Sequence, residues 1–476
     1  MDSLWTISCE IEKRNKLEND LQADVVIIGG GLAGILIAYK LKEKGIESVI
    51  LEGDRIASGQ TKNTTAKITS QHAFIYNTLL EKFGIEKAEQ YAVANQTAIS
   101  EFSRIIKDNN IDCDFEALPS YLYSTQQTHQ LEQETAAAQK LGIPASFTTE
   151  TSLPFSVKGA VRFENQAQFN PLKFIKSVSQ DLNIYEKTFV LSVEGKTIKT
   201  ESCKIKAKHI VFATHYPFMN VPGYYFARLH QERSYVIALE NAQKLDGMYY
   251  SIDEKGCSLR NYGNAVLLGG GNHRTGENSK GGKYDELRAQ AKGLYPNAKE
   301  IAHWSAQDCM PLDNIPYIGH YSNSIKNQYV ATGFKKWGMT TSMVAATIIS
   351  NMISGQETPY EEVFKPSRFN TASVPSLAKE GAKAIKGIAT KNLTVSKSVL
   401  DKLENGHGGV VEADGSKVGA YKDENGKLFL VSIKCPHMGC QLEWNPDEKS
   451  WDCPCHGSRF DYYGKLLDNP AQKGIH

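Results

Sequence analysis

Neither positive nor negative charge is in excess in this chain. Over 476 residues, 54 Lys and Arg stand against 53 Asp and Glu, a formal net charge of +1. A surface without an excess of either sign sets up no long-range field, which removes nucleic acid and anionic membranes from the expected partners. Long apolar runs are missing too. The apolar stretch from Val344 to Ile349 includes Thr347 and falls far short of the ~20 residues that span a bilayer. The first twenty residues carry Glu10, Glu12, Lys13, Arg14, Lys16 and Glu18, with no apolar h-region and no twin-arginine signal. The expectation is a cytoplasmic chain without a transmembrane segment. Cysteine is sparse, nine in all, and five of them (Cys9, Cys113, Cys203, Cys257, Cys309) are scattered through the first 310 residues, as a reducing compartment permits. The length exceeds the ~100–200 residues of an ordinary domain, so at least two domains are expected.

The other four cysteines crowd into the C-terminal end. Cys435-Pro436-His437-Met438-Gly439-Cys440 and Cys453-Pro454-Cys455-His456-Gly457-Ser458 each bring a thiolate and an imidazole together, and four Cys and two His within 22 residues are not core filler. C-x-H followed by C-x-x-H supplies one Cys and one His per loop. That set suits a Rieske [2Fe–2S] centre, which takes two thiolates on one iron and two imidazoles on the other. Zinc also takes mixed Cys and His ligands. The surplus cysteine in each loop separates the two: the whole pattern resembles the Rieske subclass in which those two cysteines form a disulfide. The resemblance implies Cys435, His437, Cys453 and His456 as iron ligands, and Cys440 with Cys455 as the disulfide.

At the other end, residues 23–28 (A-D-V-V-I-I) form a buried-strand run followed by Gly29-Gly30-Gly31-Leu32-Ala33-Gly34 and an amphipathic helix through Lys44. Glycines 29, 31 and 34 make G-x-G-x-x-G in its proper context, with a second strand over residues 48–51 ending in Glu52. The glycines let backbone approach a pyrophosphate at the helix N-terminus, and Glu52 accepts from ribose hydroxyls. A second run, Gly269-Gly270-Gly271, leads into Asn272-His273-Arg274-Thr275-Gly276-Glu277, which lacks the amphipathic helix that an NAD(P)H phosphate site requires.

NAD and FAD share this fingerprint, and later segments discriminate. The stretch 58–67 (S-G-Q-T-K-N-T-T-A-K) is polar where a nicotinamide enzyme continues its strand–helix alternation. Tyr329-Val330-Ala331-Thr332-Gly333 is a strand followed by Phe334-Lys335-Lys336-Trp337-Gly338-Met339-Thr340 and an apolar helix closed by Gly355. With the strand 210–214 and the segment 304–319, residues 22–362 resemble the FAD-dependent oxidoreductases of the D-amino-acid oxidase type. With the Rieske module appended, the chain resembles the bacterial fusion family of such flavoproteins. The resemblance implies a Rossmann-like FAD-binding domain with an inserted mixed-sheet substrate domain, then a small all-β Rieske domain. It implies FAD held by Gly29, Gly31, Leu32, Ala33, Gly34, Glu52, Thr64, Thr65, Gly333, Gly338 and Met339. A helix N-terminus near Gly338 favours negative charge on a reduced flavin by ~0.3–1 kcal/mol.

Relatives that oxidise amino acids hold the substrate carboxylate with an arginine in the segment matching 308–319. Here that segment has none, and Asp308 and Cys309 stand near the place. Arg260, between two expected strands, is the candidate carboxylate clamp, set against a solvated strand charge; Arg233 and Lys335 are further basic candidates. His215 and Tyr216 are expected beside the flavin, set against a surface turn fixed by Pro217. Arg260, His215 and Lys335 are therefore the candidate catalytic residues. Cys309 as a covalent flavin attachment is set aside for a plain buried cysteine, because its spacing to Asp313 does not match.

The expected organisation is an N-terminal extension (1–20), a flavin domain (21–365), a linker with a basic helix (366–395) and a Rieske domain (396–476). In the expected linker helix Leu377, Ala384, Ile385 and Ile388 would line one face, with Lys379, Lys383 and Lys386 opposite; so few apolar residues bury too little area for a membrane-surface helix, and domain bridging is expected. Ser458 lies where related centres place a hydroxyl on a bridging sulfide, while Phe460 replaces a tyrosine whose hydroxyl bonds a ligand sulfur. A potential between the oxygenase-type and respiratory centres follows. The resemblance implies oxidation of a small substrate (an amine, amino acid or hydroxy compound) at FAD, with electrons leaving through the cluster to an external acceptor. The competing readings are a redox sensor without turnover and a simple oxidase using O2.

Overall fold

The computed structural model describes residues 2–368, 403–413 and 416–476. The expected linker helix over 377–388 lies outside the described residues.

Val25–Ile28 are buried on both faces, as a central parallel strand must be. Strand Leu21–Ile28 sits between Ser48–Leu51 and Lys204–Phe212, with Ile325–Thr332 beyond, all parallel. Tyr317–Ser322 returns antiparallel on that edge, and Asn183–Tyr185 closes the other. Helices Leu32–Glu43 and Gly338–Ser354 pack together against this sheet in one apolar core. Gly355, at φ +72°, ends the second in the left-handed conformation that favours glycine.

A second sheet of nine strands is mixed: Met248–Ser251 pairs parallel with Glu116–Ser124, while Leu229–Glu240 pairs antiparallel with Ala265–Arg274 and Lys299–Pro311. Gly269–Gly271 lie inside strand Ala265–Arg274, and the next helix begins only at Lys283, so no phosphate-cradling helix follows them. The N-terminal segment is packed against the flavin domain. Trp5 is buried, and its indole N–H donates to Thr64 O at 2.7 Å.

The C-terminal unit is built from two small antiparallel sheets, Gly408–Ala413/Ser416–Lys422/Leu428–Val431 and Glu443–Asn445/Ser450–Asp452/Arg459–Asp461/Leu466–Asp468. It is docked on the mixed sheet. Arg233 is ion-paired to Glu448 at 2.7 Å, and Asp447 accepts from the backbone N–H groups of Gly282 and Lys283.

Candidate functional site: a cleft and a four-ligand pair of loops

A cleft of about 1550 Å³ opens between the two large sheets and reaches the C-terminal unit. Ligand pockets usually run to ~300–1,000 Å³, so this one has room for a dinucleotide and a substrate together. Its floor is the glycine loop. Gly29 holds φ +107°, and a Cβ on Gly34 would lie 2.0 Å from Gly29 O; helix and strand approach too closely for any side chain there. Glu52 accepts from Gly30 N at 2.7 Å and Asp54 N at 2.8 Å, and burial pushes its carboxyl upward. Thr61 Oγ1 accepts from Leu32 N. Neither helix that meets the cleft, Leu32–Glu43 or Gly338–Ser354, has a side-chain N-cap from its own cap residue, which leaves first-turn N–H groups other than that of Leu32 for a bound anion. These features fit FAD. Of the expected FAD residues, Gly29, Gly31, Leu32, Ala33, Glu52, Thr64, Thr65, Gly338 and Met339 line the cleft. Gly34 serves instead as the close-packing position, and Gly333, at φ +72°, packs against Leu229 and Pro311.

Successive residues on paired strands alternate faces. Glu232 and Asp308, partners in register, both meet the ammonium of Lys336, at 3.4 and 3.3 Å. Burial pushes Asp308 up; for Glu232 burial acts the same way, but the His230 imidazole, 3.6 Å away, and the Lys336 charge outweigh it and hold the carboxyl at about 2. Lys335 lines the same wall and is lowered to about 8 by burial and by Lys336; Lys67 is lowered to about 7 by burial and by Arg260. His215, at φ +65°, also lines it, with Nε2 buried and unpartnered and its pKa lowered by burial.

Arg260 requires a correction. Its guanidinium is neither a solvated strand charge nor part of the cleft wall. Buried to 1% exposure, it donates from Nη1 to Thr65 O and Ala66 O and from Nε to Asn261 O. It braces the polar stretch that carries Thr64 and Thr65. Cys309 is buried beside Thr332 and raised to about 12 by burial, an inert thiol.

In the C-terminal unit, hairpin turns bring both ligand loops to one point. Cys435 N donates to Cys440 O, and Cys453 N to Ser458 O. Cys435 and Cys453 are free and buried, while Cys440 and Cys455 sit at disulfide distance, S–S 2.06 Å. The sulfurs of Cys440, Cys453 and Cys455 lie within 4.8 Å of one another; because two of these are paired to each other, the thiolates open to a metal are those of Cys453 and Cys435. The Cys453 thiol and backbone N–H groups of His437 and Met438 pull Cys435 below the ordinary thiol range, which pushes Cys453 up. The His437 and His456 rings stand 4.8 Å apart at 89°, and both Nδ1 atoms are buried without a hydrogen-bond partner among the described residues. Burial lowers the two imidazoles to about 4 and about 3. Two neutral imidazoles with orphaned Nδ1 lone pairs beside two buried thiols fit a [2Fe–2S] cluster bound by mixed ligands.

Sequence reasoning missed the residues that join cleft and loops. Gln307, on the cleft wall, donates to Gln231 Oε1 at 2.7 Å and Gly457 O at 2.8 Å; Gln231 donates to His456 O at 2.7 Å and Asn469 O at 3.0 Å. His437 Nε2 meets Asn220 Oδ1 at 2.9 Å, and the His456 ring lies edge-on to Phe226. Asn220, Phe226 and Gln231 belong to no motif, and Gln307 is one polar residue inside the segment 304–319, so no local signal marked them.

Comparison with known proteins agrees with both halves. Residues 24–352 match the family model for FAD dependent oxidoreductases, and residues 396–476 that for the Rieske [2Fe-2S] domain. YhfW of Bacillus subtilis (strain 168), whose name describes a Rieske 2Fe-2S iron-sulfur protein, is 36% identical over 100% of this chain and 97% of its own length. The fold matches glycine oxidase from Geobacillus kaustophilus (TM-score 0.63, 17% identity, 73% of this chain and 99% of that one) and L-proline dehydrogenase from P. horikoshii (0.61, 17%, 74% and 98%).

Proposed function

Since the chain belongs to the FAD dependent oxidoreductase family and ends in a Rieske [2Fe-2S] domain, we propose that it oxidises a small organic substrate in the cleft and passes the electrons through the cluster loops to an external acceptor. Bound FAD supplies two-electron and the cluster one-electron chemistry, which makes the pair a step-down device. The observation that carries the reading is the hydrogen-bond bridge from Gln307 on the cleft wall to Gly457, the residue after His456. A sensor with an unrelated flavin site has no need of one.

The chain's residues also narrow the substrate. Arg233 and Arg459, the guanidiniums on the cleft wall among the described residues, are both ion-paired with Glu448, at 2.7 and 3.2 Å. Arg260 is spent on backbone carbonyls. With these three committed, an amine or hydroxy compound fits better than an amino acid bound through its carboxylate. Lys335, near neutrality at about 8, and His215, with its unpartnered Nε2, are the groups we assign to accept the substrate proton. The domain boundaries that go with this reading are 21–365 for the flavin domain and 396–476 for the cluster domain.

Anaerobic stopped-flow mixing with a panel of amines and alcohols tests the proposal. Flavin bleaching followed by a cluster absorbance change supports it. A cluster that responds independently of flavin supports sensing instead, and stoichiometric hydrogen peroxide in air supports a simple oxidase.

A further inference from the structure

The edge of His437 that points away from the ligand loops does not face solvent. Its Nε2 lies 2.9 Å from Asn220 Oδ1, a residue of the flavin domain 217 positions earlier in the chain, while its Nδ1 is buried and unpartnered. An imidazole that binds a metal through Nδ1 carries its proton on Nε2, so Nε2 donates and the Asn220 carbonyl oxygen accepts. His456 is held on the same side: its ring meets Phe226, six residues beyond Asn220. The turn bearing Asn220 is itself fixed, because Tyr224 N donates to Asn220 O and the Tyr321 hydroxyl to Met219 O.

We propose that Asn220 is the positioning residue for the cluster: across the domain boundary it fixes the His437 tautomer and ring orientation, and it sets the electron affinity of the centre from the flavin side. This rests on reading His437 as a ligand. Metal-bound histidines are oriented and made more basic by an acceptor on their second nitrogen, and loss of such a partner typically costs 10–100-fold in metal affinity or activity. Here the acceptor is a neutral amide supplied by the other domain. The cluster is therefore tuned by docking, and its histidine edge is turned toward the flavin domain.

The test uses full-length protein carrying flavin and cluster, with EPR spectra and a redox titration of wild type, Asn220→Leu and Asn220→Asp. Leucine removes the acceptor, makes the imidazole a poorer donor to iron and favours the reduced state. Aspartate keeps the acceptor and adds negative charge, which favours the oxidised state. The expected result is a pair of opposite shifts, each about tenfold in the one-electron equilibrium, or about 59 mV. Cluster loss from the leucine variant alone also supports the proposal, since aspartate restores the acceptor. Unchanged spectra and potentials, shifts of one sign in both variants, or cluster loss from both overturn it. A wild-type protein with flavin but no rhombic EPR signal overturns the ligand assignment beneath it, which separates the two failures.

Discussion

Gln307 Nε2 donates to the carbonyl oxygen of Gly457 at 2.8 Å, linking the wall of the cleft to the residue that follows His456. The same amide group also donates to Gln231 Oε1. Gln307→Leu leaves two buried acceptors without that donor, a cost of ~1–3 kcal/mol each for a group left wholly unpaired. The expected outcome is a split. Substrate reduces the flavin at the wild-type rate, while the later cluster phase slows and the C-terminal domain unfolds at a lower temperature. Stopped-flow absorbance and calorimetry of the same preparation check both.

Gly34 is expected to be indispensable for flavin binding. An alanine Cβ there meets Gly29 O at 2.0 Å, inside any van der Waals contact, so strand and helix must move apart and the loop between them loses its shape. Gly34→Ala should purify without bound flavin. Gly293→Ala is the control: it lies in helix Lys283–Leu294 with nothing within 4 Å of its added methyl. There alanine should stabilise by ~0.5–1 kcal/mol, with flavin content, read from the absorbance of purified protein, unchanged.

Much of the fold and of the candidate site is legible in the motifs. The glycine loop, Glu52 and the two Cys–His loops are local features, each compressed into a few consecutive residues, and the structure brings each set to one place. What sequence could not show is what lies across chain separations of hundreds of residues. Arg260 between two strands looked like a substrate clamp, yet its partners are the carbonyls of Thr65 and Ala66, nearly 200 positions earlier. Asn220, Gln231 and Gln307 are ordinary polar residues in their own neighbourhoods. Their roles exist only because the C-terminal domain docks where it does.

Acid should loosen that docking before it unfolds either domain. Glu448 is buried, and although burial raises its carboxyl, Arg233 and Arg459 outweigh this and hold it at about 2. A carboxyl depressed on folding contributes stability that is fully present above its unfolded value near 4.5 and is lost as pH falls toward about 2. The shift corresponds to an order of ~3 kcal/mol. The expected observation is a falling thermal midpoint between pH 4.5 and about 2, flattened in Glu448→Gln. The variant should also be less stable at pH 7, because Arg233, at 1% exposure, then keeps a buried charge without its carboxylate.

The electron affinity of the cluster should respond in opposite directions to two buried positions beside it. Ser458 is fully buried; its hydroxyl oxygen accepts from Ala471 N at 3.0 Å, and the same hydroxyl is among the groups that lower the Cys435 thiol. A donor on a ligand sulfur stabilises the more negative, reduced centre, so Ser458→Ala should lower the potential. Phe460 is equally buried and offers no donor. Phe460→Tyr places a hydroxyl in that interior; if it reaches a ligand sulfur it adds a second such bond, and the potential should rise. Wild type should therefore titrate inside the range of about −150 to +300 mV known for Rieske centres, above its floor and below its ceiling. Spectroelectrochemical titration of the three proteins at one pH gives the order Ser458→Ala, wild type, Phe460→Tyr. A Ser458→Ala value equal to wild type would mean that the hydroxyl serves Ala471 alone, and that this loop is tuned by the backbone N–H groups of His437 and Met438, which also lower Cys435.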